Sequence, residues 1–217
     1  MCSIDFNRRA DEVAPLVLGS ILWRGPVGLR LTEVEAYLGP DDPASHAYRG
    51  PRGRAVTMFG APGCLYVYLS YGVHRAANLV CSPAGSASAV LLRAGEVVAG
   101  RDLARQRRGW DADDVVRPDH RLASGPGNLG TVLGLKLTDD GARLGDDFVL
   151  EPSDTPSRNV LNGPRTGITK AVDWPLRFWL AGEPSVSPYR RSPKAPGWLK
   201  IGCDQSSDTY PRGVLWH

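Results

Sequence analysis

Residues 27–40 read VGLRLTEVEAYLGP. Apolar and polar positions alternate from Val27, so Val27, Leu29 and Leu31 are predicted to share one face of a strand. Continuing the same parity brings Glu33, Glu35 and Tyr37 onto that face, where a core-facing row turns into an acidic, aromatic one. Two carboxylates and a ring at a strand's end can build a chemical site, or can line the wet face of an edge strand. From this stretch alone the edge-strand reading carries more weight.

The segments on either side extend the pattern. Upstream, DEVAPLVLGSILWR (residues 11–24) opens on an acidic residue, tolerates Pro15 near its start and gathers Val13, Leu16, Val17, Ser20 and Ile21 on one side, which predicts a helix. Downstream, DDPASHAYRGPRGRAVTM (41–58) is a long loop rich in Gly, Pro and Arg, of the kind that is functional or mobile. LYVYLSYG (65–72) alternates again, with Leu65, Val67 and Leu69 opposite Tyr66 and Tyr68, and Tyr71-Gly72 marks a turn. SASAVLLRAG (86–95) has the continuous apolar run of a strand buried on both faces and ending at Arg93. GEVVAGRDLARQRRG (95–109) reads as a helix with basic residues in its last turn. ASGPGNLGTVLGL (123–135) predicts a short helix with Pro126 near its first position, and PLRFWLAG (175–182) a late strand.

The chain has 217 residues, 25 Gly and 18 Pro among them, and 42% are hydrophobic. That suits one domain with a real core and many turns rather than a disordered chain. Net charge is only +3, but of the 26 cationic residues only Lys136, Lys170, Lys194 and Lys200 are lysines. Arginine's planar fork matches phosphate, although codon usage explains such an excess equally well. The four cysteines are scattered without a C-x-x-C pair, and MCSIDFNRRADE lacks the apolar stretch of a secretory leader. Reduced thiols in a cytoplasmic protein, with no membrane span, are expected. The tail 192–217, rich in Pro, Gly, Ser and charge, is expected to be irregular and to follow a single domain over residues 1–191.

Several chemistries are missing from the chain. His46, His74, His120 and His217 stand apart, so a metal site is not expected, and there is no G-x-S-x-G elbow, Walker loop or dinucleotide fingerprint. What remains is aromatic and basic. Tyr66 and Tyr68 can pack within a sheet, or offer a stacking platform for a nucleobase. Tyr71, at a hairpin tip, is well placed to act as a wedge between stacked bases. With Arg49, Arg52 and Arg54 near by in sequence, the pattern fits a nucleic-acid surface.

Taken in order, TEVEAYLGPDDPASHAYRG, MFGAPGCLYVYLSYGVHRAANLV, SAVLLRAGE, SGPGNLG and PLRFWLAG resemble the alkyladenine (3-methyladenine) DNA glycosylase family, from about Arg30 to Gly182. The E-x-E-A-Y-x-G-P block together with the Y-V-Y-x-x-Y-G block is specific. The resemblance implies a mixed α/β (α+β) fold, a single compact domain whose curved, largely antiparallel sheet is surrounded by helices, with a protruding hairpin that inserts into DNA. It implies a monofunctional glycosylase of base excision repair that flips alkylated or deaminated purines out of the duplex and hydrolyses the N-glycosidic bond.

By the same resemblance Glu35 is the general base and Glu33 a spare carboxylate, while Arg93 helps hold the attacking water. Tyr37, His46 and Tyr68 enclose the flipped base, Tyr66 lines the pocket, and Asn78 clashes with the exocyclic amine of normal guanine. Tyr71 intercalates by the same resemblance, while Arg49, Arg52 and Arg54, read from their place beside the tyrosines in sequence, are expected to contact the DNA backbone. No cofactor is implied. The expected partner is double-stranded DNA containing damaged purines, met by a monomer in the cytoplasm, at the nucleoid if the source is bacterial. Two other classes stay open: a non-catalytic module that binds distorted DNA, and a nucleosidase acting on free nucleosides. The polar, basic GVHRAA after Tyr71 departs from the family's pattern and leaves the groove contacts open.

Overall fold

The computed structural model describes residues 4–111, 115–153 and 159–196. Helix α1 (Ala10–Val17) buries Ala10, Val13, Ala14 and Val17, but stops well short of the predicted end at Arg24. Leu18 turns to extended backbone and Gly19 takes φ 83, a left-handed value that glycine adopts without strain. Ile21–Arg24, expected to prolong the helix, form strand β1 instead. The physical reason lies in the backbone partners: Gly19 N–H donates to the Leu31 carbonyl, and Ser20 accepts from Leu31 N–H, so strand β2 (Val27–Tyr37) captures these groups.

Strands β3 (Leu65–Ser70) and β4 (His74–Cys81) form the expected hairpin, with Tyr71, Gly72 and Val73 at its tip. The next strand, β5 (Ser88–Ala99), runs past Arg93 because Gly95–Ala99 pair with Gly28–Leu31 of β2. The helix predicted over 95–109 therefore shrinks to α2 (Arg101–Arg107), which starts only after Gly100 at φ 70. Strand β6 (Ala123–Ser124) and helix α3 (Pro126–Leu133) follow, with Pro126 in the first turn as read from the sequence. Strands β7 (Phe148–Glu151), β8 (Val160–Gly163) and β9 (Arg177–Leu180) complete the described elements.

The fold is a single α+β domain built on a curled, antiparallel sheet in the order β3-β4-β5-β2-β1-β7. β6 adds to β5, β9 adds to β2 and β8 adds to β9. α1 packs on β2 and β5, and α3 on β4 and β5. The main core collects Leu29, Leu31, Leu65, Leu79, Leu92, Leu129 and Phe148, all fully buried. A second, smaller cluster around Ala47, Met58, Tyr66 and Val80 lies beneath the 41–58 segment. That segment is a series of short 3-10 turns, Gly39–Asp41, His46–Arg49 and Gly53–Phe59.

One predicted face is corrected. The main-core row on β2 runs Leu29, Leu31, then Val34 and Ala36. The register with β5 is irregular between Leu31 and Val34, and the core row jumps there by three residues rather than two. Such an irregularity re-aims the side chains that follow. Glu33, Glu35 and Tyr37 consequently leave the core face and emerge on the opposite side from Val34 and Ala36. On that side residues fall into line across four strands: Glu35 pairs with Leu91, Leu91 with Asn78, and Asn78 with Tyr66. No described helix is long and apolar enough to cross a membrane.

Candidate active site

A pocket of about 510 Å³ opens on this second face. Its wall includes Tyr37, His46, Tyr66, Tyr68, Tyr71, Asn78 and Arg93, seven residues separated by up to 56 positions in the chain. The sheet supplies Tyr37, Tyr66, Tyr68, Asn78 and Arg93; the 3-10 turn at His46–Arg49 brings His46 over them, capped by the Ser45 hydroxyl accepting from Ala47 N–H. Tyr66 and Tyr68 stack at 5.5 Å with an interplanar angle of 23°. The His46 ring stands edge-on to Tyr68 at 4.7 Å, and its Nδ1 lies 3.0 Å from the Tyr66 hydroxyl. Packing against these rings pushes the His46 pKa down, which favours the neutral imidazole at pH 7.

Glu35 is fully buried behind this wall. Its carboxylate accepts from the Tyr37 hydroxyl at 2.9 Å and from Thr166 N–H at 2.7 Å, with the Arg93 guanidinium at 3.3 Å. All three partners line the pocket, so they form the layer between carboxylate and cavity. Burial first, and the Glu35 charge second, push the Tyr37 phenol well above its ordinary range and the Tyr68 phenol up to about 12. Both therefore remain neutral hydroxyls at any working pH.

Glu33 occupies a different environment. It takes Arg93 Nε at 2.9 Å, Arg177 Nε at 2.6 Å and both the N–H and hydroxyl of Ser187, at 2.7 and 3.0 Å. Burial disfavours its charge, but the two guanidiniums and Ser187 more than offset this and hold its carboxyl below the usual value. Arg93 thus bridges the two glutamates, fixed by Glu33 and presented to Glu35. Burial likewise opposes the charge of Arg93, and the carboxylates of Glu35 and Glu33 outweigh it, leaving the guanidinium more firmly protonated than usual.

Tyr71 projects from the hairpin tip at 87% exposure, and its φ of 49 is a left-handed value unusual outside glycine. Arg49, Arg52 and Arg54 are all exposed on the turns of the 41–58 segment, outside the pocket wall. Among the described residues no group of three His, Cys, Asp or Glu side chains is arranged to hold a metal ion.

Residues 4–184 match the family model described as methylpurine-DNA glycosylase. The chain belongs to that family. Among its relatives, a Cutibacterium acnes protein is 53% identical over 193 residues, covering 85% of this chain and 97% of its own. A Corynebacterium efficiens protein is also 53% identical, over 88% of this chain and 97% of its own, and one from Frankia casuarinae is 52% identical over 89% and 94%. All three are provisionally named 3-methyladenine DNA glycosylases. The chain is accordingly a DNA glycosylase, and DNA is its substrate.

This glycosylase also places in the site residues that sequence reasoning passed over. Arg165, fully buried, forms an ion pair with Asp42, donates to the Ala36 carbonyl at 3.0 Å and stacks 4.5 Å over the Tyr37 ring. It therefore steadies Tyr37 from behind, while its neighbour Thr166 holds Glu35. Asp42 lies within the P-D-D-P segment, but nothing local in NGPRTGITK marks Arg165 as a buried residue. Gly39 is required for close approach: at φ 68, a Cβ there would lie 1.8 Å from the Ala87 carbonyl oxygen.

Proposed function

We propose that this DNA glycosylase flips alkylated or deaminated purines, of the 3-methyladenine, 7-methylguanine, hypoxanthine and ethenoadenine class, from duplex DNA into the pocket beneath His46. The observation that carries this reading is the arrangement of a buried carboxylate, Glu35, directly behind a cavity walled by Tyr37, His46, Tyr66 and Tyr68. A base within a duplex is unreachable, and extrusion requires a few kcal/mol, less where pairing is already weakened. Tyr71 enters the stack to fill the space, and Arg49, Arg52 and Arg54 grip phosphates. The aromatic walls accept the purine faces, with Asn78 set against the exocyclic amine of normal guanine.

Glu35 orients a water and accepts its proton as the oxygen bonds to the anomeric carbon. The bond from that carbon to the base nitrogen breaks, and its electron pair departs with the base. The carboxylate also stabilises the positive charge developing on the sugar. Arg93, locked by Glu33, and Thr166 hold the carboxylate in the orientation this demands. Among the described residues no lysine lines the pocket, which supports a reaction that ends at an abasic site without a covalent intermediate.

The test uses a duplex oligonucleotide carrying one hypoxanthine, ethenoadenine or methylated purine, treated with alkali after incubation. Strand cleavage that requires alkali is expected, with no complex trapped by borohydride. Binding without release of any of these bases would favour a recognition module instead. Tyr71→Ala should weaken binding to the lesion duplex by about 1–3 kcal/mol, the range of a stacking contact, as read by fluorescence anisotropy.

A further inference from the structure

The hairpin β3–β4 has two faces, and the pocket is built mainly on the one that carries Tyr66 and Tyr68. On the other, Arg75 pairs with Leu69 and follows the parity of Ala77 and Leu79, the main-core residues of β4. Here, beside the tip, a second cleft of about 260 Å³ lies between the hairpin and α3, lined by Val73, Arg75, Arg107, Thr131, Gly134 and Leu135. We propose that this cleft holds a backbone phosphate of the duplex, on the opposite flank of Tyr71 from the flipped base. The assignment rests on Tyr71 entering the duplex.

The charges of the cleft carry the argument. Arg75 is exposed, and neither it nor Arg107 has a carboxylate within ion-pair distance among the described residues. By contrast, many of the other described arginines, such as Arg24, Arg30, Arg105 and Arg165, are matched to an acid. Arg107 is held in place by donating 2.6 Å to the Val132 carbonyl, which leaves most of its five N–H donors free. Its guanidinium lies against Gly134, where a Cβ would come within 3.0 Å of its central carbon, so the absence of a side chain there makes room for it. Partial burial, reinforced by the nearby Arg24 charge, pushes the Arg107 pKa down. An anion in the cleft would relieve that crowding. Two unmatched guanidiniums beside an exposed wedge have the chemistry that a phosphodiester meets through charge-assisted hydrogen bonds. The pairing also makes mechanical sense. A wedge held by phosphate contacts on one flank only can tilt, whereas contacts on both flanks fix its depth.

The test measures binding of undamaged duplex DNA by anisotropy across a salt series. Each phosphate contact steepens the fall of log K with log salt by roughly 0.9. Arg75→Gln and Arg107→Gln should each flatten the slope by about that amount, and the double variant by about twice as much. Arg8→Gln is the control: Arg8 binds Ser82 through its carbonyl, just beyond the far end of β4, roughly 23 Å from Arg75 at the rise of an extended strand. Because Arg75 is exposed and its side chain makes no hydrogen bond or ion pair among the described residues, its variant is expected to fold, which urea unfolding checks. A slope unchanged in Arg75→Gln, or flattened equally by Arg8→Gln, overturns the proposal. Failure of wild type to excise any base would instead count against the catalytic reading and leave the slope comparison intact.

Discussion

Glu35→Gln should lower base excision by a factor on the order of 10²–10⁴ while leaving affinity for lesion DNA close to wild type. The amide keeps the shape of the side chain and can still accept from the Tyr37 hydroxyl or from Thr166 N–H, 2.9 and 2.7 Å from the carboxylate. What it loses is the negative charge and the capacity to take a proton, which matter chiefly as the glycosidic bond breaks. Single-turnover excision on an ethenoadenine or hypoxanthine duplex, beside anisotropy on the same duplex, separates the two. A variant that binds normally and excises at the wild-type rate would remove Glu35 from the chemistry. One that loses binding in proportion would make it a packing residue. Rescue is also informative: Glu35→Asp keeps the charge but draws it back by a methylene, and should excise faster than the amide.

The sequence carried the identity of the pocket residues further than it carried their geometry. Tyr66 and Tyr68 stood out by their own spacing, whereas Tyr37, His46, Asn78 and Arg93 were singled out for the site through the family resemblance, and the pocket collects all six. Period-2 alternation placed Tyr66 and Tyr68 together, since β3 is regular throughout its pairing with β4. The same rule failed on β2, where the irregular register near Thr32 reverses the faces, because alternation has no means of announcing a bulge. Helical patterning failed in its turn at two helix boundaries, where tertiary pairing overrode it: Ile21–Arg24 were drawn onto β2 and β7, and Gly95–Ala99 onto β2.

Least legible were the residues that act through others. Arg165 and Asp42 are 123 positions apart, and Glu33 meets Ser187 across 154. Partners of that kind are set by the sheet order, in which β9 joins β2 long after β2 is made. Glu33 was readable only as a spare carboxylate, whereas the fold makes it the anchor of Arg93 and Arg177. Of the expected tail, residues 192–196 are described, and 197–217 lie outside the described residues.

That anchoring role leads to the second large effect, which falls on stability. Glu33→Ala should destabilise the fold by about 3–5 kcal/mol, because it removes the carboxylate that two buried guanidiniums share, leaving Arg177 without a paired acid among the described residues and Arg93 with Glu35 alone. Glu33→Gln should lie between Ala and wild type, since it can still accept from Ser187 N–H. Urea unfolding of the three proteins at neutral pH measures this directly, and the slope of the transition shows whether the native state stays intact. The pH dependence supplies an independent sign. A carboxyl whose folded pKa sits below its unfolded value contributes stability that is present above the ordinary glutamate range and is lost as pH falls through the depressed folded value. Wild type should therefore lose stability on acidification more steeply than Glu33→Gln, and the two curves should converge in acid. Parallel curves would mean that Glu33 is not the group titrating. Equal stability of Glu33→Ala and wild type at neutral pH would mean that Arg93 finds enough compensation from Glu35 alone, in which case the two glutamates of the strand share one role rather than dividing support from chemistry.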